Sequence, residues 1–325
     1  MISTIHQPDV QIKKIRFFRP FTYRNSVPME QADAVLFPWI LKDTMIFSSP
    51  AVQLQPLRTV FKEKKPGWQQ QFNLLLRDLS VEVIENLLAR FRKQNNISKP
   101  ILLMTDMDVE GPFWQDEMVY FFRCSLVKSH QLPNEFALPY LKEDRGVFTP
   151  SEQSGVPSIG FCGYADHQAR IDLLNAILQH PTVEEDFYYR KDYFWAVERK
   201  LSREQSMALT EQYFASITNN PFTVCSRGAG NYSIRFYETL RSGRIPVLLN
   251  TDMAFPFPDR IPWDDIIICR DTPDEVLDTV LDWWQNKDIP KIQQQCRSIW
   301  ETFLSCAGFS DRLPELMHTV TQANK

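Results

Sequence analysis

The sequence predicts an α/β protein of two domains, each built on a parallel sheet. Three observations carry that reading. At 325 residues the chain exceeds the size at which one hydrophobic core usually stops growing, so an even split leaves each half able to bury its own core. Short runs rich in β-branched and aromatic residues alternate with helical patterns nearly from end to end, as stacked βαβ units require. The alternation lapses in the Pro-rich, polar stretch 127–155, which places the boundary there. The expected domains are therefore 1–153 and 154–325, with the last helix a candidate to cross back to the first domain.

In the first half IKKIRFF (12–18), AVLFPW (34–39), ILLMTD (101–106) and VYFFRCSL (119–126) read as strands. VEVIENLLARFRKQ (81–94) has helical apolar spacing, and Ser80 stands where an N-cap belongs. In the second half SIGFCG (158–163) is a strand ending in glycine, followed by the helix QARIDLLNAILQH (168–180). REQSMALTEQYFASIT is a second helix, announced by Ser202 and Gln205 at capping-box spacing. Then come the strand FTVCS (222–226), a helix over 231–242 and the strands RIPVLL (244–249) and IIIC (266–269). Thr272, Pro273 and Glu275 open the helix PDEVLDTVLDWWQN, and 291–304 and 311–321 are the last helical stretches. Two successive α/β domains place a ligand in the cleft at the carboxyl ends of the strands.

Hydrophobic residues at 43% and charged residues at 23% describe an ordinary globular protein. Lys+Arg 36 against Asp+Glu 40, a net charge of -4 with no block of one sign, leaves no footprint for nucleic acid. Any phosphate binding must be local. Six cysteines without a CxxC, mostly inside apolar runs, read as buried free thiols in a reducing compartment. No stretch approaches the roughly 18 apolar residues of a membrane span, and the expected location is cytoplasmic. The pair Trp283-Trp284 on one helix must turn a ring outward, which leaves peripheral contact with a membrane, or with the other domain, open.

The stretch CSRGAGNYSIRFYETL (225–240) carries the most chemistry. Gly228 and Gly230 allow a tight turn after a strand, and a helix beginning near Asn231 or Ser233 offers its free amides and positive dipole end to an anion. Arg227 and Arg235 add charge-assisted bonds of about 1.5–3 kcal/mol each, more than the dipole supplies. Glu238, three residues beyond Arg235 and on nearly the same face, suits paired hydroxyls such as those of ribose. A phosphate and a ribose together make a nucleotide. The same residue types also fit an ordinary glycine turn followed by a surface ion pair of under about 1 kcal/mol. The stretch has neither the GxxxxGK[ST] nor the GxGxxG spacing.

FTVCSRGAGNYSIRFYETLRSGRIPVLLNTDMAFPFPDRIPWDDIII resembles the C-terminal signature of exostosin-family glycosyltransferases, glycosyltransferase family 47. The residues in register are Cys225, Arg227, Gly228, Gly230, Ser233, Arg235, Phe236, Glu238, Gly243, Ile245, Pro246, Val247, Pro256, Phe257 and Trp263. SIGFCGYADHQARIDLL is similar to the family's entry to the donor domain, with Arg170 at its arginine position, and ADAVLFPW is similar to a short N-terminal strand. Ser226 stands where the family has proline.

The resemblance implies the GT-B fold: two Rossmann-like domains with parallel sheets facing across a cleft, the nucleotide sugar in the C-terminal one and the acceptor toward the N-terminal one. It implies an inverting, metal-independent transfer from a nucleotide-diphosphate sugar to a glycan or glycoconjugate, with no cofactor. The diphosphate would leave against the helix terminus, Arg227 and Arg235, with Arg170, Gly228, Gly230, Asn231, Ser233 and Glu238 completing the donor site. The general base is expected at a strand end of the first domain, where Asp106 and Asp108 are the leading candidates and Glu110 and His130 rivals. Two alternatives stay open. One is a non-catalytic nucleotide- or glycan-binding partner subunit on the same scaffold. The other is a metal-dependent GT-A-type transferase that uses Asp106-Met107-Asp108 to hold a divalent ion.

Overall fold

A computed structural model of the chain describes residues 2–4, 19–20, 31–42, 59–60, 62–63, 68–144, 146, 148–165, 167–192, 197 and 200–323. The class is α/β, with two sheets whose strands run parallel apart from one short antiparallel pairing. The chain divides into two compact units: unit 1 comprises Met1–Pro139, Asp252–Pro256 and Phe309–Lys325, and unit 2 comprises Tyr140–Thr251 and Phe257–Gly308. Among the described residues no helix is long and apolar enough to cross a membrane.

Unit 1 holds strands β1 (Ile2–Thr4), β2 (Arg19–Pro20), β3 (Ala34–Lys42), β4 (Ile101–Asp106), β5 (Val119–Arg123) and β6 (Glu135–Ala137) in the order β1-β3-β4-β5-β6, with β2 antiparallel to β3. Ile101, Leu102, Leu103 and Met104 are all fully buried, so β4 is covered on both faces, which is why it reads as an unbroken apolar run. Helix α1 (Trp68–Asn95) covers one face with a stripe at helical spacing, Leu76, Ile84, Leu88 and Phe91. Ser80 lies inside that stripe rather than at its start. Its hydroxyl donates to the Leu76 carbonyl at 2.6 Å, which satisfies a buried polar group in mid-helix, and the expected N-cap is corrected accordingly. The opposite face receives Phe309, whose ring meets Phe122 edge-on at 6.0 Å. Short β6 and a single 3-10 turn (Lys128–His130) occupy the stretch expected to be irregular, and the expected strand 12–18 lies outside the described residues.

A buried ion pair ties this unit together. Arg123 and Glu135 pair, and the same guanidinium donates to the carbonyls of Val109 and Gly111, each at 2.8 Å. Glu135 also accepts from the amides of Phe113 at 3.0 Å and Leu132 at 3.1 Å. The Phe113 ring lies 4.0 Å from the guanidinium. The loop after β4 is thereby fixed through its main chain.

Unit 2 carries β7 (Ser158–Gly163), α2 (Gln168–Gln179), β8 (Glu184–Tyr189), α3 (Arg203–Thr218), β9 (Phe222–Val224), α4 (Ile234–Arg241) and β10 (Ile245–Leu249). Beyond them lie a single turn α5 (Trp263–Ile266), β11 (Ile268–Arg270), α6 (Pro273–Asn286) and α7 (Ile289–Ile299). Helix α7 runs on into a π-helical turn, Trp300–Leu304, and α8 (Cys306–Ala323) ends the described chain. The parallel sheet runs β11-β10-β9-β7-β8. Strand β8, EEDFYY, is a sheet edge with little buried surface, so it has no apolar run to announce it. Trp283 is buried, and Trp284 is half-exposed with its indole N–H donating to the Gly155 carbonyl at 3.0 Å.

The boundary falls at Pro139/Tyr140, ahead of the expected position 153, because the intervening segment is stitched to unit 2. Ser151 N–H donates to Gln293 Oε1 at 2.8 Å, Arg241 donates to the Glu143 carbonyl at 3.0 Å, and Arg297 pairs with Asp144 at 2.6 Å. Composition marked that stretch as irregular but held no sign of these partners.

Removing one member of a buried ion pair strands the other charge. Glu135→Gln is expected to lower the stability of unit 1 by about 3–5 kcal/mol, read as an earlier urea transition of β-sheet signal. An unchanged transition would show that the pair is dispensable.

Candidate functional site

The sheet of unit 2 reverses its winding between β7 and β9: β8 lies on one side of β7, and β9, β10 and β11 follow on the other. Ligands of such sheets bind outside the carboxyl ends of the strands at that reversal. The loops that leave β7 and β9 are residues 164–167 and 225–233, and the second is the motif singled out by its chemistry.

Among the helices of this unit longer than a single turn, capping sets two apart. Helices α3, α6 and α7 are closed by their own side chains: Ser202 with Gln205, Thr272 with Glu275, and Asp288 accepting from the Lys291 amide. The helices that follow β7 and β9 are not. His167 before α2 and Ser233 before α4 give no side-chain cap. Among the described residues the amides of Ile234 and Arg235 have no acceptor, so α4 presents an open, partly positive end.

Arg235 is the second element. It is 9% exposed, and its guanidinium donates to the carbonyls of Cys162 at 2.6 Å and Val224 at 3.3 Å, at the carboxyl ends of β7 and β9. It stands 4.4 Å from the Phe161 ring centroid and 5.7 Å from that of Tyr213. Among the described residues no carboxylate pairs with it. A charge this far from water is costly without a counter-ion. Arg170, also buried, donates to the carbonyls of Tyr164 at 2.6 Å, Ser226 at 3.0 Å and Arg227 at 2.6 Å, and so fixes the course of the second loop. Arg227 is half-buried and reaches the Ala229 carbonyl at 3.2 Å.

The glycines divide the work differently from expectation. Neither Gly228 nor Gly230 has positive φ, and a Cβ on Gly228 would meet only ordinary contacts, Arg170 Nη2 at 3.7 Å and Tyr232 O at 3.8 Å. Gly228 N–H donates to that Tyr232 carbonyl at 3.0 Å and closes the loop. The glycine that geometry demands is Gly163, with φ +155° and Arg235 Nη2 2.5 Å from where its Cβ would stand. Its position at the end of a predicted strand was the available signal.

Asn231 exchanges two bonds with Thr251, donating to its carbonyl at 2.9 Å and accepting from its hydroxyl at 2.7 Å, which straps the loop to the chain after β10. Ser226, fully buried, has a hydroxyl with no hydrogen-bond partner among the described residues. Glu238 does not pair with Arg235. It accepts the Tyr213 phenol proton at 2.6 Å on Oε2, and its Oε1 lies 3.8 Å from Arg241. The surface-ion-pair reading is thus overturned, since Arg235 and Glu238 are both buried and have separate partners. The Tyr213 phenol is held well above the usual range by burial, then by the neighbouring Glu238 carboxylate.

Unit 2 therefore gathers Arg227, Gly228, Gly230, Asn231, Ser233, Arg235 and Glu238 along one loop and one helix, with Arg170 of α2 bonded to the same loop, while Asp106 and Asp108 belong to unit 1. Asp106 ends β4 and lies 3.4 Å from Lys42 Nζ, and Asp108 follows on the loop that Arg123 fixes. Among the described residues no three His, Cys, Asp or Glu side chains form a metal-holding group. None of the six cysteines forms a disulfide. Burial pushes the Cys225 thiol up to about 12, so it is a packing residue beneath the loop.

An α/β unit with an anion-ready switch point is the class this site defines. No family model matches the chain. In sequence it is similar to exostosin-type glycosyltransferases: a probable beta-1,4-xylosyltransferase IRX10L of Arabidopsis thaliana is 37% identical over 70 residues, 21% of this chain and 17% of that protein. A probable glucuronosyltransferase of Oryza sativa subsp. japonica is 36% identical over 70 residues, 21% and 16%. An Exostosin-1 homolog of Caenorhabditis elegans is 27% identical over 94 residues, 29% and 25%. The matched region thus spans between about a sixth and a quarter of these relatives. Among solved structures the chain is similar to the lipopolysaccharide outer core galactosyltransferase WaaB, with a TM-score of 0.45 and 13% identity over 77% of this chain and 79% of that one. It is similar to TarM with a TM-score of 0.41 and 12% identity over 74% and 58%.

The buried thiol gives a pH test. A folded-state value of about 12 for Cys225 lies above that of an exposed thiol, so the stability it contributes is complete below about pH 8.5 and is lost as the pH climbs toward 12. Native protein at pH 8 is expected to leave Cys225 unalkylated by iodoacetamide in a mass-spectrometric count, and ready labelling would contradict the packing described.

Proposed function

We propose that the chain is a glycosyltransferase of the GT-B type, moving a sugar with inversion and without a metal from a nucleotide-diphosphate sugar to a glycan acceptor. One observation carries the reading. Arg235 is a buried guanidinium at the switch point, met by carbonyls and aromatic rings but by no carboxylate, beside a helix end left uncapped. An anion placed there gains the helix amides and the charge together. A diphosphate leaving an anomeric carbon develops its negative charge in that place, so the same groups act most strongly as the glycosidic bond breaks. The names of the relatives, xylosyl- and glucuronosyltransferases, support sugar transfer as the chemistry.

In this reading Arg227, half-buried on the loop, meets the diphosphate from the loop side. Arg170 acts through the main chain it holds, and Glu238 accepts the ribose hydroxyls. The acceptor hydroxyl loses its proton to Asp106 or Asp108.

Two measurements test this. Arg235→Gln is expected to lower kcat/KM for nucleotide-sugar turnover by about 10- to 100-fold, the equivalent of one charge-assisted hydrogen bond set. Asp108→Asn is expected to lower kcat by about 100-fold or more while nucleoside-diphosphate affinity stays as in the wild type. Turnover unaffected by Arg235→Gln would remove the basis of the proposal. Tight nucleotide binding with no turnover in the wild type would instead indicate a binding module.

A further inference from the structure

The proposed donor site leaves open what makes a buried carboxylate a ribose reader rather than an internal ion-pair member. Glu238 is 8% exposed on a helix whose other residues are buried except Ile234. A carboxylate so placed must have its oxygens assigned to partners, or it has no fixed orientation. Its Oε2 accepts a hydrogen bond from the Tyr213 phenol at 2.6 Å, whereas Oε1 is ion-paired with the Arg241 guanidinium at 3.8 Å, too long for a hydrogen bond, and so keeps its capacity to accept one.

Tyr213 reaches that carboxylate because α3 lies directly on the sheet. A Cβ on Gly160 of β7 would stand 1.9 Å from the Ser216 carbonyl, so the glycine lets the helix approach to a distance that no other residue permits. Three residues earlier on the same helix, Tyr213 places its ring 5.7 Å from the Arg235 guanidinium and its hydroxyl on Glu238. One side chain from α3 thus touches both Arg235 and Glu238 of α4.

We propose that Tyr213 is a positioning residue for ribose recognition: its phenol holds one oxygen of Glu238 and leaves the other for the hydroxyls of a ribonucleoside diphosphate. This rests on the donor-site reading above. The phenol remains a donor throughout the neutral range, since burial and the adjacent carboxylate keep its proton on. The inferred ligand class is ribonucleoside rather than deoxyribonucleoside diphosphates, and the selectivity belongs to the Tyr213–Glu238 pair, not to Glu238 alone.

The test is calorimetric titration of the full chain with UDP and GDP and with their 2′-deoxy and 3′-deoxy counterparts, in the wild type, Tyr213→Phe, Glu238→Gln and the double variant. The wild type is expected to favour a ribonucleotide over a deoxy counterpart by about tenfold or more, as one hydrogen bond to a carboxylate provides. In Tyr213→Phe and in Glu238→Gln that ratio is expected to fall to about threefold or less, with no further fall in the double variant. A wild-type ratio preserved in Tyr213→Phe but lost in Glu238→Gln would overturn the inference and leave the donor site standing. A ratio preserved in Glu238→Gln, or absent from the wild type, would overturn the ribose contact and the inference with it. If Tyr213→Phe does not fold, 3-fluorotyrosine at position 213 serves instead. Its fluorine resonance should move with ribonucleotide and not with the deoxy form that lacks the contacted hydroxyl, and equal movement with both would contradict the assignment.

Discussion

The interaction on which the site depends is the seating of Arg235 on the carbonyl oxygens of Cys162 and Val224. These lie at the carboxyl ends of two neighbouring parallel strands, where main-chain carbonyls crowd. A guanidinium satisfies the carbonyls by hydrogen bonding while leaving its positive charge unneutralised, which a carboxylate partner would not do. The burial cost of that charge is offset in part by the faces of Phe161 and Tyr213. An anion bound there, as proposed, would offset the rest.

The surrounding structure follows from that seating. Gly163 must lack a Cβ because Arg235 passes over it, and Arg170 holds the carbonyls of Ser226 and Arg227, which fixes the course of the loop ahead of α4. Asn231 and Thr251 tie the far side of the loop to the chain beyond β10. Helix α4 has only eight residues and would not persist alone. It is held by the burial of Phe236 and Leu240 and by the bond from Arg241 to the Glu143 carbonyl. That bond is also why the segment from Tyr140 belongs to unit 2. Site and unit boundary thus share a cause.

Much of this was legible in the sequence wherever an element buries a continuous apolar face. ILLMTD and SIGFCG are strands at the expected residues because both lie inside parallel sheets. The capping boxes at Ser202 and Thr272 are present as read, since they need only local chain geometry. Edge strand β8 was illegible because an edge has no apolar pattern, and Ser80 misled because a serine before an apolar run looks the same whether it caps a helix or bonds back within one. For the site, the motif located the loop and helix, but not which atoms Arg235 and Glu238 engage. Their partners, Cys162 and Tyr213, come from other elements and carry no mark of that role in the chain.

The most direct measurement is a crystal structure of the chain soaked with a nucleoside diphosphate. The account predicts phosphate oxygens within hydrogen-bonding distance of the Ile234 and Arg235 amides, with the Arg235 guanidinium still on the Cys162 carbonyl. A nucleotide bound elsewhere on unit 2, or an Arg235 that leaves the strand ends to pair with a carboxylate of the chain, would contradict it.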